Sequence, residues 1–101
     1  MQPTLYIASD DRVITVNDGV TRIGRSITAD VELEDITVSR RHALIVRGEG
    51  QTVLLDDGSR NGVRLNGQRI KRAEPLSDGD VIAVGRTELR YAAALRELTA
   101  A

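Results

Sequence analysis

Cysteine, phenylalanine and tryptophan are all absent from this chain, which has only two tyrosines and a single histidine. The lack of cysteine excludes disulfides, thiolate metal sites and thiol catalysis. One imidazole with no second histidine is a poor basis for a metal centre, so no metal is expected. Without Phe or Trp, a core has to be filled by Val, Ile and Leu. No apolar run approaches the ~18 residues of a membrane-spanning helix, so membrane insertion is not expected. The opening residues, MQPTLYIASDD, lack a basic leader followed by an apolar stretch. That predicts no secretory signal and a cytoplasmic setting.

The 101 residues are the material of one ordinary domain, and 41% hydrophobic with 29% charged is a globular balance. A domain of this size buries one modest core and has little room for a deep cleft. The net charge is −1, but it is unevenly placed. Residues 22 to 72 hold ten Arg/Lys against seven Asp/Glu, while the flanks hold four against eight. The middle of the chain therefore leans towards an anionic partner.

Short β-rich runs recur between turn signals. They predict strands at 4–8, 12–16, 20–24, 31–33, 43–47, 51–56, 63–66, 81–84 and 87–91, several of them alternating, as at Val13 and Thr15 and at Val20 and Arg22. The dipeptides Asp18-Gly19, Asp57-Gly58, Asn61-Gly62, Asn66-Gly67 and Asp78-Gly79 supply the positive φ that tight hairpins require. Many short strands at close spacing predict an all-β antiparallel sandwich or small barrel. The tail AAALRELTAA, residues 92–101, is rich in Ala and Leu and predicts a short C-terminal helix beyond a domain of residues 1–91. In such a fold the strands are scaffold and the loops carry function.

Three loops hold unusual residues: RIGRS (Arg22 to Ser26), TVSRRH (Thr37 to His42) and DGSRNG (Asp57 to Gly62). Each sits at a strand end, so a sandwich could gather them at one edge. Arg25 offers a planar fork of donors that matches two phosphate oxygens. Ser39 offers a hydroxyl and the N–H groups of its loop. Asn61 both donates and accepts, as a peptide backbone does. Together these groups suit a phosphorylated, extended peptide. Singly, each has an ordinary reading: Arg25 as a solvated surface residue, Ser39 as a turn or cap hydroxyl, Asn61-Gly62 as a hairpin turn, and His42 as a buried side chain bonded to its own loop.

The order Gly-Arg, then ADVELED, then Ser-x-x-His, then Gly-Ser-x-Asn-Gly resembles the forkhead-associated (FHA) domain over about residues 4 to 91. GRSITADVELEDITVSRRHALI is similar to the family pattern at Asp30, Leu33 and Asp35 as well, and GDVIAVG looks like its closing hairpin. The resemblance implies an antiparallel β-sandwich of about eleven strands that binds phosphothreonine in partner proteins and is not an enzyme. It implies that Arg25 and Ser39 hold the phosphate, that Arg40 contributes from the same loop, and that Asn61 fixes the ligand backbone. Gly24, His42 and Gly62 would be structural. Thr37 matches a position that can help select the ligand residue three places after the phosphothreonine. Arg60 stands where the family often has a smaller residue, and is a second candidate for specificity. Arg41 is expected to face solvent.

The leading expectation is a monomeric phosphothreonine-binding adaptor in a Ser/Thr kinase pathway, with no cofactor. The alternative is a structural or assembly module that binds an unphosphorylated partner. Catalysis is disfavoured, because no paired carboxylates and no Ser/His/Asp set with an oriented base emerge. Nucleic-acid binding is disfavoured by the near absence of aromatic stacking platforms and the negative total charge.

Overall fold

The computed structural model describes residues 2–93. Eleven strands run β1 Thr4–Ile7, β2 Arg12–Thr15, β3 Gly19–Gly24, β4 Val31–Glu32, β5 Ala43–Gly48, β6 Gln51–Asp56, β7 Val63–Leu65, β8 Gln68–Arg69, β9 Glu74–Pro75, β10 Val81–Val84 and β11 Thr87–Ala92. They form two sheets, ordered β2-β1-β11-β10-β7-β8 and β4-β3-β5-β6-β9. All pairs are antiparallel except β3 with β4, where Ile23 lies beside Val31 and Gly24 beside Glu32. The nine predicted strands are present. The two-residue strands β8 and β9 are additions, too short to show any periodicity.

The expected C-terminal helix falls outside the described residues from position 94 onward. Its first residue, Ala92, belongs to β11, and Ala92 pairs with Thr4. Among the described residues there is no helix, and none is long and apolar enough to cross a membrane.

The core is aliphatic, as the composition demands, with Tyr91 as its one aromatic member. Leu5, Ile7, Ile23, Ile45, Leu54, Ile82 and Leu89 are each at most 1% exposed. Full burial of one such side chain contributes about 1.5–3 kcal/mol. Alternation is clean in β1 and β10, whose inward residues are Leu5 and Ile7, and Ile82 and Val84. Val13 and Val20 are exposed, at 66% and 46%. In β3 the inward face belongs instead to Thr21 and Ile23.

The Asx-Gly signals divide into two kinds. All five glycines, at 19, 58, 62, 67 and 79, do adopt positive φ. Only Asn66-Gly67 closes a hairpin, with Leu65 paired to Gln68 and positive φ at both turn residues, as a type I′ turn requires. The other four lie where the chain crosses from one sheet to the other, between β2 and β3, β6 and β7, or β9 and β10. Asn61-Gly62 is therefore not a hairpin turn. It belongs to an inter-sheet loop, which leaves the Asn61 side chain exposed for other work.

Candidate functional site

The loops β3–β4, β4–β5 and β6–β7 meet at one edge of the sandwich. Arg25, Thr37, Ser39, Arg40, Arg60 and Asn61 line a single depression of about 310 Å³, together with Ile36 and Val38. Six of the nine residues singled out from the sequence thus share one surface. The other three, Gly24, His42 and Gly62, lie buried beneath it.

The β3–β4 and β4–β5 loops are clasped along their backbones. Arg25 N donates to Ser39 O at 3.0 Å, and Ser26 N to Arg40 O at 3.2 Å. Gly24 makes this approach possible, since a Cβ there would stand 2.0 Å from Arg40 O. The Arg25 Nε donates to Val38 O at 2.9 Å. That bond aims the guanidinium and leaves its two Nη groups without a hydrogen-bond partner among the described residues. Arg25, Arg40 and Arg60 are all exposed, and none is in an ion pair among the described residues. No acidic residue lines the depression. Arg41 is exposed as expected, but it is held by Asp57 at 3.2 Å and lies outside the depression.

His42 is completely buried. Its Nδ1 accepts from Ser39 N at 2.9 Å, and its Nε2 lies 2.7 Å from Gly62 O. A backbone N–H can only donate, so Nδ1 is unprotonated and the ring proton sits on Nε2, which donates to the Gly62 carbonyl. One imidazole thereby ties the β4–β5 loop to the β6–β7 loop. A second tie runs above it, where Arg60 N donates to Ser39 Oγ at 3.0 Å. With Ser39 Oγ accepting from a backbone donor, its own proton has no acceptor among the described residues.

Asn61 Nδ2 donates to Thr37 O at 2.7 Å. A carbonyl only accepts, so this fixes which end of the carboxamide is which. The second Nδ2 proton and Oδ1 remain, a donor and an acceptor side by side. The β6–β7 loop is braced from within: Ser59 N and Oγ donate to Asp56, at 2.7 and 3.0 Å, and Gly62 N donates to Ser59 Oγ at 2.9 Å.

Three features here escaped the sequence reading. Ile36 is 90% exposed at the rim, an apolar side chain in a polar loop. Ser59 has the bracing role just described, which an Asp-x-x-Ser spacing could have suggested. Asp35 was noted only as part of a pattern. Its carboxylate accepts from Thr37 N at 2.9 Å, Thr37 Oγ1 at 2.6 Å and Thr87 Oγ1 at 2.8 Å. These bonds, the Thr37 hydroxyl first, pull its pKa down to about 2.

Among the described residues no cluster of His, Asp and Glu has the arrangement to hold a metal ion. What the site offers chemically is a shallow, electropositive surface of fixed N–H and O–H donors beside a carboxamide.

The FHA domain pattern matches residues 21–85, more than half of the chain. An oxoglutarate dehydrogenase inhibitor from Corynebacterium diphtheriae is 41% identical over 71 residues, covering 70% of this chain and 49% of that protein. The chain spans about half or less of the length of curated relatives it matches. A solved structure from work on phosphothreonine-dependent FHA domain interactions superposes with a TM-score of 0.88 at 32% identity, covering 93% of this chain and 98% of the other. EmbR of Mycobacterium tuberculosis, solved with a low affinity phosphopeptide, superposes with a TM-score of 0.87 at 33% identity, covering 92% of this chain and 24% of EmbR. The chain belongs to the FHA domain family.

Proposed function

We propose that this chain binds a phosphothreonine-bearing segment of a partner protein and acts as an adaptor in a Ser/Thr kinase pathway. FHA domains are binding modules rather than enzymes, and the neighbours in structure include EmbR with a phosphopeptide and a domain from work on phosphothreonine-dependent FHA interactions. The observation that carries the reading here is the convergence of Arg25, Ser39 and Asn61 on one depression that has three arginines and no carboxylate. A phosphate brings about −1.5 to −2 charges and three acceptor oxygens. The two free Nη groups of Arg25 match two of those oxygens as a fork. The Ser39 hydroxyl, with its acceptor side already occupied by Arg60 N, donates to the third. Arg40 adds charge from the same rim. Asn61 pairs its remaining donor and acceptor with the C=O and N–H of the ligand backbone.

The partner is a phosphorylated protein rather than nucleic acid or a membrane, and the chain works as a cytoplasmic monomer. With two tyrosines in the whole sequence, and only Tyr6 of them exposed, aromatic stacking platforms for bases are scarce. A calorimetric titration with one peptide in phosphorylated and unphosphorylated forms, beside a nucleic-acid titration at the same salt, tests the proposal. Binding confined to the phosphorylated peptide supports it. Equal binding of both peptides would make the chain an assembly module instead.

A further inference from the structure

Two bonds to the Asp35 carboxylate are local, from Thr37 two residues away, and any Asx turn could contain them. The others are not. Thr87 reaches Asp35 across 52 positions, and Arg86 N donates to Thr37 Oγ1 at 2.9 Å across 49. The Thr37 hydroxyl gives its proton to Asp35, so its lone pairs are what Arg86 finds. The β4–β5 loop is thereby pinned to the β10–β11 turn. The pinning is close: a Cβ on Gly85 would lie 2.5 Å from Thr37 Oγ1 and 2.8 Å from Thr37 O. The same Thr37 carbonyl receives the Asn61 carboxamide at 2.7 Å, across 24 positions. Val38 N also donates to Asp35 O, at 2.9 Å, and the Val38 carbonyl in turn aims Arg25.

We infer that Asp35 is a positioning residue of the ligand site: by clamping Thr37 against the β10–β11 turn it sets the pose in which Asn61 meets the ligand. It touches no ligand itself. A carboxylate suits the position well, because the groups bonded to its two oxygens are all donors. An asparagine could keep its oxygen on Thr37 and turn its NH2 towards the Thr87 hydroxyl, which can accept. Asp35→Asn should therefore fold while losing the charge that strengthens the clamp. Thr87→Val, nearly the same shape, removes the long-range bond without altering any residue of the depression.

What Asn61 does for a ligand rests on the phosphopeptide reading; how Asn61 is held does not. The first measurement is accordingly made on the free protein, from the side-chain amide signals of Asn61 by NMR. One Nδ2 proton should be shifted and slow to exchange in the parent, and should move towards free-carboxamide values in Asp35→Asn and Thr87→Val. Unchanged Asn61 signals in both variants would overturn the inference. The second is a double-mutant cycle on phosphothreonine-peptide affinity, well below the melting transition. Asp35→Asn should weaken binding about tenfold in the parent and less than about twofold in an Asn61→Ala background. The same factor in both backgrounds would also overturn it, since a general loss of stability does not depend on Asn61. A parent protein that binds no phosphopeptide would sink the proposed function, and the amide signals would still decide the role of Asp35.

Discussion

The backbone N–H of Arg60 donates to the Ser39 hydroxyl oxygen at 3.0 Å, joining two loops that lie 21 positions apart. Ser39 thus serves two partners, one inside the protein and one in the proposed ligand. Ser39→Ala should remove the phosphate contact, weakening phosphopeptide binding by roughly 1–3 kcal/mol, with a smaller loss of stability because Arg60 N can turn to water. Calorimetry paired with thermal melting reads both. A large drop in melting temperature with unchanged affinity would leave Ser39 as a loop brace alone.

Arg25→Ala should cut affinity by about a hundredfold or more, since bonds to charged groups contribute roughly 1.5–3 kcal/mol each and the fork makes two. The fold should persist, because the side chain is exposed and its one internal bond is to Val38 O. Arg25→Lys should recover little, as an ammonium keeps the charge but not the planar pair of donors. Affinity equal to the parent in Arg25→Ala would remove it from the site.

His42→Ala should act on stability first. It leaves Ser39 N and the Gly62 carbonyl without their buried partner and opens a cavity where a side chain was fully buried. The cost expected is about 2–5 kcal/mol, read as a lower urea midpoint at unchanged slope. Normal unfolding with lost binding would show that the imidazole acts on the ligand.

Ligand preference should run phosphothreonine, then phosphoserine, with glutamate and plain threonine near background. Glutamate has one charge and two oxygens in a plane, too few to engage Arg25, Ser39 and loop N–H groups together. The γ-methyl of phosphothreonine adds about 0.8 kcal/mol if buried, and restricts the side-chain torsion besides. Fluorescence anisotropy on peptides differing only at that residue measures the order. Equal affinity for phosphoserine would rule out a methyl contact.

Acid should expose the Asp35 clamp. Its folded pKa of about 2 lies below the ordinary value of 3.8, so the bonds stabilise the fold fully above that ordinary value. Their contribution drains away as pH falls through the interval towards about 2. Urea unfolding of the parent between roughly pH 5 and 2 should therefore lose stability faster than that of Asp35→Asn, which cannot titrate there. Parallel curves would mean the carboxylate gains nothing from its donors.

Local chemistry made much of this legible in advance. Alternation and turn residues located nine strands, because side-chain period and glycine φ are decided within a few bonds. A Gly-Arg, a Ser-x-x-His and an Asn-Gly marked the three loops that do line one depression. The reading failed where two residues had to meet. Asn66-Gly67 and Asn61-Gly62 are the same dipeptide with the same positive φ at glycine, yet one closes a hairpin and the other bridges two sheets. Strands β8 and β9 exist only because a neighbour pairs with them.

By itself the sequence determined an all-β domain with an aliphatic core and an arginine-rich set of loops, since composition, periodicity and backbone sterics act over short range. Only the tertiary structure decided that Ser39 would accept from Arg60, that His42 would span to Gly62, and that Asp35 would reach Thr87 across 52 positions. Hydrogen-bond partners at such separations are chosen by how two sheets stack and where their loops emerge. A side chain's donors and acceptors are written in the sequence, but what they meet is a matter of geometry.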